Sequence, residues 1–107
     1  MGQCDEAVVV FRRACGTTPN DPTAHANLGA ALCWQGNQTE GERELEHALV
    51  LHPGHLEACL NLATVLRSQA RTKEALDVLR SFPLGAADGR ISQLITTLEA
   101  EVGAFPS

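Results

Sequence analysis

A recurrence at 34-residue spacing constrains this chain more than any other feature. Between Pro22 and His55, small and apolar residues fall at Leu28, Gly29, Leu32, Gly41, Leu45 and Ala48, and Pro53 closes the stretch. Adding 34 to these positions lands on Leu62, Ala63, Leu66, Ala75 and Leu79, while subtracting 34 lands on Ala7, Phe11, Ala14 and Pro19. A period of this length marks supersecondary units that cannot bury their apolar faces alone and must stack on their neighbours.

Within each period the spacing is helical. Asp21-Pro22 supplies an N-cap followed by proline at the first helical position, and Gly36-Asn37 supplies a stop, so a helix is predicted from Pro22 to about Gln35 and a second from about Thr39 to Leu51. Gly29 and Gly41 each cost about 1 kcal/mol of helix propensity relative to alanine. Their placement at the two expected contact positions therefore argues for close packing of this pair. Upstream, Ala7, Val8, Phe11 and Ala14 form one stripe of a helix over residues 3 to 14. Downstream, helices are expected from Leu56 to Ala70 and from Thr72 to Phe82, where Pro83 cuts the pattern. A loop from Leu84 to Gly89 leads to a last amphipathic helix over residues 90 to 102, with Ile91, Leu94, Ile95, Leu98 and Val102 on its apolar stripe.

The Leu28-Gly29 pair, the small residue at Gly41, the large one at Leu45, then Ala48 and Pro53 resemble the tetratricopeptide repeat, with His25 standing where that family prefers tryptophan. The resemblance implies an all-α, right-handed solenoid of antiparallel helix pairs, about six helices in all. Its expected organisation is a half repeat and connector (1–21), a complete repeat (22–55), a truncated second repeat (56–83), and a loop with a C-terminal capping helix (84–107).

Composition narrows the function. The chain has 107 residues, and its 13 acids against 8 basic residues give a formal charge of −5. Only one lysine is present, so no basic stripe exists to neutralise phosphates, and nucleic acid is not expected as a partner. No apolar run is long enough to span a membrane and no leader pattern opens the chain, so a soluble, cytoplasmic protein is expected. Met1-Gly2 fits an N-myristoylation signal poorly, because Glu6 stands where serine or threonine is wanted. Cys4, Cys15, Cys33 and Cys59 include no CxxC pair and read as free thiols.

In proteins that this chain resembles, the first helices of successive repeats line a concave groove. Carried over by position, that groove presents Thr23, Ala26, Asn27, Ala30, Cys33 and Trp34 from one repeat and Glu57, Leu60, Asn61, Thr64, Arg67 and Ser68 from the next. Asn27 and Asn61 lie one period apart and resemble the asparagine ladder of the O-GlcNAc transferase repeats. An amide both donates and accepts, so such a ladder can hold the main chain of an extended peptide, or it can serve packing between turns. Trp34 is expected at the lip of the groove, either as an interface anchor with Leu60 and Arg67 or packed near Gln69 and Ala70. The basic clamp by which chaperone-binding repeats seize a C-terminal carboxylate is not matched, since its positions hold Ala26, Ala30, Glu57 and Asn61.

Chemistry finds little support. His47, His52 and His55 gather around Pro53-Gly54 but read as turn residues rather than metal ligands, and a Cys59–His55 dyad lacks any oxyanion hole or pocket. Glu40, Glu42, Glu44 and Glu46 read as a solvated convex face. No enzyme, metal site or cofactor is expected. The leading expectation is a scaffold that binds a protein or peptide in its groove. The alternatives are a substrate-recruiting module of a larger transferase-type enzyme and a self-associating unit, a homodimer closed through an exposed face of Val8, Val9 and Phe11.

Overall fold

The computed structural model describes residues 3–83 and 89–103, with side chains from residue 5 onward; the lipidation reading at Gly2 and most of the expected loop at 84–89 lie outside them. Six helices follow one another without a strand among the described residues: α1 (Gln3–Thr17), α2 (Pro22–Gln35), α3 (Gln38–Leu51), α4 (Leu56–Ser68), α5 (Thr72–Arg80) and α6 (Gly89–Gly103). Each packs antiparallel on the next, and α2 also touches α4, so the leading helices of the two repeats lie side by side. The molecule measures 45 × 33 × 18 Å, the thinnest dimension being that of two helical layers. The expected all-α, tetratricopeptide-like solenoid is the observed fold. None of these helices is long and apolar enough to cross a membrane.

Local chemistry sets the helix boundaries. The Asp21 carboxylate accepts from the Thr23 amide at 3.0 Å and caps α2, whose far end closes on Gly36 in the left-handed region at φ 101°. There Gly36 N–H donates to Cys33 O and Asn37 N–H to Leu32 O, satisfying the last carbonyls of the helix. One period on, Arg71 N–H donates to Leu66 O in the same manner, but the left-handed residue is Ala70 at φ 61°. Helix α4 therefore ends at Ser68 rather than reaching Ala70.

Two further boundaries differ from expectation by a few residues. Helix α1 runs through Gly16 to Thr17, because the Thr17 and Thr18 hydroxyls donate to the carbonyls of Arg13 and Ala14 and extend the last turn. Helix α5 ends at Arg80, since a residue preceding proline avoids the α region; Phe82 nonetheless turns in and is buried.

Two apolar clusters hold the layers together. The smaller joins α1 to α2 through Val8, Leu28 and Leu32, with Phe11, Cys15 and Ala31 packed around them. The larger runs from α2 to α6 and includes Ala26, Leu45, Ala48, Leu62, Leu66, Leu79, Ile91 and Leu98. The expected stripe of α6 is its buried face, with Leu94, Ile95 and Val102 half-buried beside Ile91 and Leu98. Between α2 and α3 the two glycines touch. A Cβ on Gly41 would stand 2.4 Å from Cys33 Sγ and 2.7 Å from Gly29 O, and one on Gly29 would meet Gly41 O at 2.8 Å.

The acidic run of α3 is not a solvated face. Glu40 pairs with Arg12 of α1 at 2.8 Å, Glu42 with Arg71 at the start of α5 at 2.8 Å, and Glu44 with His25 of α2 at 2.7 Å. Three of the four glutamates therefore tie α3 to three neighbours, and only Glu46 of the run fits the solvated reading.

Candidate functional site

The open faces of α2 and α4 carry most of the expected groove residues, although they differ in how much freedom their side chains retain. On α2, Thr23, Asn27, Ala30 and Trp34 follow at intervals of four, three and four residues, one stripe of a helix, and all are exposed or half-buried. On α4, Glu57, Leu60, Asn61, Thr64 and Arg67 make the matching stripe. Ala26 is a correction: it is 2% exposed and belongs to the main core, where α2 meets α4. Cys33 likewise packs against that core rather than opening to solvent.

Several of these side chains are already engaged. Thr23 Oγ1 bonds His55 Nε2 at 3.1 Å, and Thr64 Oγ1 donates to Leu60 O at 2.8 Å. Arg67 is clamped by Glu101 of α6, and Glu57 lies 3.7 Å from Arg90. The amides of Asn27 and Asn61, by contrast, bond nothing among the described residues, and neither is buried. Trp34 is 83% exposed, which removes the reading in which it packs against the end of α4.

The face expected to drive self-association also needs correction. Val8 is 6% exposed because its turn of α1 faces Leu28 and Leu32, and Phe11 is half-buried in the same cluster. Val9 and Val10 are what remains outside, at 51% and 58% exposure, flanked by Asp5 and Glu6.

The histidine and cysteine arrangements considered from sequence resolve into structural roles. His55 Nδ1 accepts from the Ala58 amide at 3.1 Å and caps α4, so its Nε2–H is the atom that meets Thr23. With both nitrogens occupied, His55 has no lone pair for a metal or a thiol, and His52 only meets its ring edge-on. Cys59 is 1% exposed, its Sγ lies 3.9 Å from Val78 O, and burial pushes its thiol up to about 11, far from the thiolate a nucleophile needs.

One constellation was not legible from sequence. His25, the departure from the repeat pattern, is a nearly buried polar hub 9% exposed. Its Nε2 donates to Pro19 O at 2.7 Å, its Nδ1 meets Glu44 Oε1 at 2.7 Å, and Cys15 Sγ lies 3.8 Å from the same Nδ1. The His47 ring stacks on it at 4.2 Å. Burial works to lower the His25 pKa, but the bonds to Glu44 and to the Pro19 carbonyl outweigh it and hold the value above the ordinary one. The Cys15 thiol is pushed up, first by burial and then by Glu44 and Asp21. The available signal was the oddity of a histidine at a core position; its partners are 6, 10 and 19 residues away and lie on three other segments.

A family model described as TPR repeat matches residues 1–36. Among 23 solved chains that match is the first TPR of Spaghetti (RPAP3) bound to the HSP90 peptide SRMEEVD, at a TM-score of 0.82 and 14% identity, covering 95% of this chain and 84% of that one. No curated protein matches the sequence. At this identity the likeness is one of fold.

Proposed function

We propose that this solenoid is a protein-interaction module that holds an extended peptide segment across the open faces of α2 and α4. The observation that carries the reading is the pair Asn27 and Asn61. They are one period apart on adjacent helices, neither is buried, and among the described residues neither amide has a partner. A peptide main chain presents alternating donors and acceptors that amides can meet regardless of side-chain sequence. Trp34 at one edge offers a large, exposed aromatic surface of the kind enriched at binding hot spots, with Ala30 and Leu60 as a shallow apolar floor between.

Charge defines the class of segment. The solved relative is bound to an acidic peptide, SRMEEVD. Here the cation on the corresponding stripe, Arg67, is neutralised by Glu101, and Glu57 adds a negative charge. An acidic tail would leave its carboxylates unpaired on this face, so the segment expected is neutral or basic.

Panning a display library of extended peptides against the wild type and against the Asn27→Ala, Asn61→Ala double variant tests the reading. Selected peptides should be poor in acids, and their affinity should fall by about tenfold or more in the double variant while its helicity is unchanged, as two lost hydrogen bonds predict. Undiminished binding by the double variant, or saturable binding of SRMEEVD itself, would defeat it.

A further inference from the structure

The repeat period supplies an internal control for the cluster around His25. Adding 34 to Cys15, Pro19, His25, Glu44 and His47 gives Leu49, Pro53, Cys59, Val78 and Ser81. Those five residues, with Phe82, line a small cleft of about 260 Å3 in the second repeat. The same place in the fold is therefore built twice, once almost wholly apolar and once from a thiol, an imidazole and a carboxylate. Since the apolar version packs with Cys59 and Phe82 buried, stacking of the repeats does not require the polar set.

The hydrogen-bond accounting of the polar version calls for a positive charge. Pro19 O is an acceptor only, so Nε2 must carry a hydrogen. Neutral imidazole then turns the lone pair of Nδ1 toward Glu44 Oε1, itself only an acceptor when ionised. A proton on Nδ1 relieves the conflict, and so does a cation between the three donors. The ligand atoms of Cys15, His25 and Glu44 all lie within 4.8 Å of one another. Ligands in a tetrahedral zinc site stand about 3.3–3.8 Å apart, as bond lengths of about 2.0–2.3 Å require. The Cys15–His25 edge already has that length at 3.8 Å, and the His25–Glu44 edge must open from 2.7 Å. Glu44, a quarter exposed, has room for that movement and leaves a path for an ion to enter.

We propose that Cys15 Sγ, His25 Nδ1 and Glu44 Oε1 form a binding site for a borderline-soft divalent cation of the Zn2+ class, with water in the fourth position. The donor set of one thiolate, one imidazole and one carboxylate suits zinc better than magnesium or calcium, which take oxygen ligands. The bond from Nε2–H to Pro19 O is the outer contact that usually orients a metal-bound histidine. Binding displaces one proton from Nδ1 and one from the Cys15 thiol, so the two anionic ligands neutralise the dication. Because the ligands come from α1, α2 and α3, the ion links all three helices.

Titrating chelator-treated protein with Co2+ tests the site. One Co2+ per chain should bind with the visible spectrum of tetrahedral coordination and a thiolate-to-metal charge-transfer band, and Zn2+ should displace it. Cys15→Ser should abolish the charge-transfer band and weaken Zn2+ binding by about tenfold or more, and Glu44→Gln should weaken it comparably. Cys33→Ala should leave both unchanged. Circular dichroism of each variant in chelator checks that the fold persists. A spectrum that survives Cys15→Ser with the fold intact, or absence of stoichiometric binding by the wild type, overturns the proposal in favour of a protonated His25–Glu44 bridge.

Discussion

The two helix pairs of this molecule answer one packing problem with different residues. In α2 and α3 the contact is made by Gly29 and Gly41, and the polar pair His25 and Glu44 spans the helices beside it. One period later, in α4 and α5, the same four places hold Ala63, Ala75, Cys59 and Val78. Ala63 and Ala75 are fully buried, so the second pair accommodates two Cβ atoms that the first cannot. The repeat thus dictates that something small and something complementary must sit at these points. It leaves open whether the complement is apolar or polar, and hence which pair can carry chemistry.

The largest way to break the comparison is to force the second pair's logic on the first. Gly41→Leu should destabilise by about 3 kcal/mol, because its first carbon would already press on Gly29 O and on Cys33. Gly41→Ala should cost somewhat less, about 1–3 kcal/mol, whereas the reverse change Ala75→Gly should cost only about 1 kcal/mol of propensity and lost packing. Urea denaturation of all three variants measures this. Equal costs for Gly41→Ala and Ala75→Gly would mean that the two contacts do not differ.

A sharper test exchanges the polar pair. In the presence of chelator, His25→Cys should cost about 1–3 kcal/mol, since Glu44 and the Pro19 carbonyl lose their partner in a partly buried place. Glu44→Val alone should cost a similar amount by stranding Nδ1. The double variant reproduces the Cys59–Val78 pair, and its cost should be smaller than the sum of the singles by about 0.5–3 kcal/mol, the coupling of residues in contact. Simple additivity would mean that the pair is not coupled.

The smallest effect concerns the turns that end α2 and α4. Gly36 and Ala70 are equivalent by the period, and both are left-handed, yet only glycine adopts that conformation without strain. Ala70→Gly should therefore stabilise the protein by about 0.5–1 kcal/mol, net of the extra freedom glycine gives the unfolded chain. An unchanged or lower melting temperature would show that Ala70 is relaxed.

Much of the architecture was legible in the residues. Asp21-Pro22, Gly36 and the small residues at 29, 41, 63 and 75 act within one turn or at one helix contact, so the sequence alone locates them. Boundaries slipped where a side chain did something local that spacing does not record, as when the Thr17 and Thr18 hydroxyls prolong α1. The binding stripe was legible in position but not in state. That Arg67 is taken by Glu101, 34 residues on, while Asn61 is left unbonded among the described residues depends on how α6, packed on α5, reaches across to α4.

The 34-residue period by itself determined five helices, their pairing and the inward positions, because a repeated amphipathic unit has one economical way to bury its apolar face, and the apolar stripe over residues 90 to 102 added the sixth. Only the tertiary structure decided the polar contacts. Glu40, Glu42 and Glu44 are near neighbours on α3 with the look of a charged outer face, yet each reaches a different helix or turn. Which partner a long side chain meets depends on the rotation and offset between helices at the scale of an ångström, and those follow from the closeness of Gly29 to Gly41 rather than from the charge pattern. The same closeness brings Glu44 of α3 to His25 of α2, and the packing of Val8 on Leu28 and Leu32 brings Cys15 of α1 to the same point.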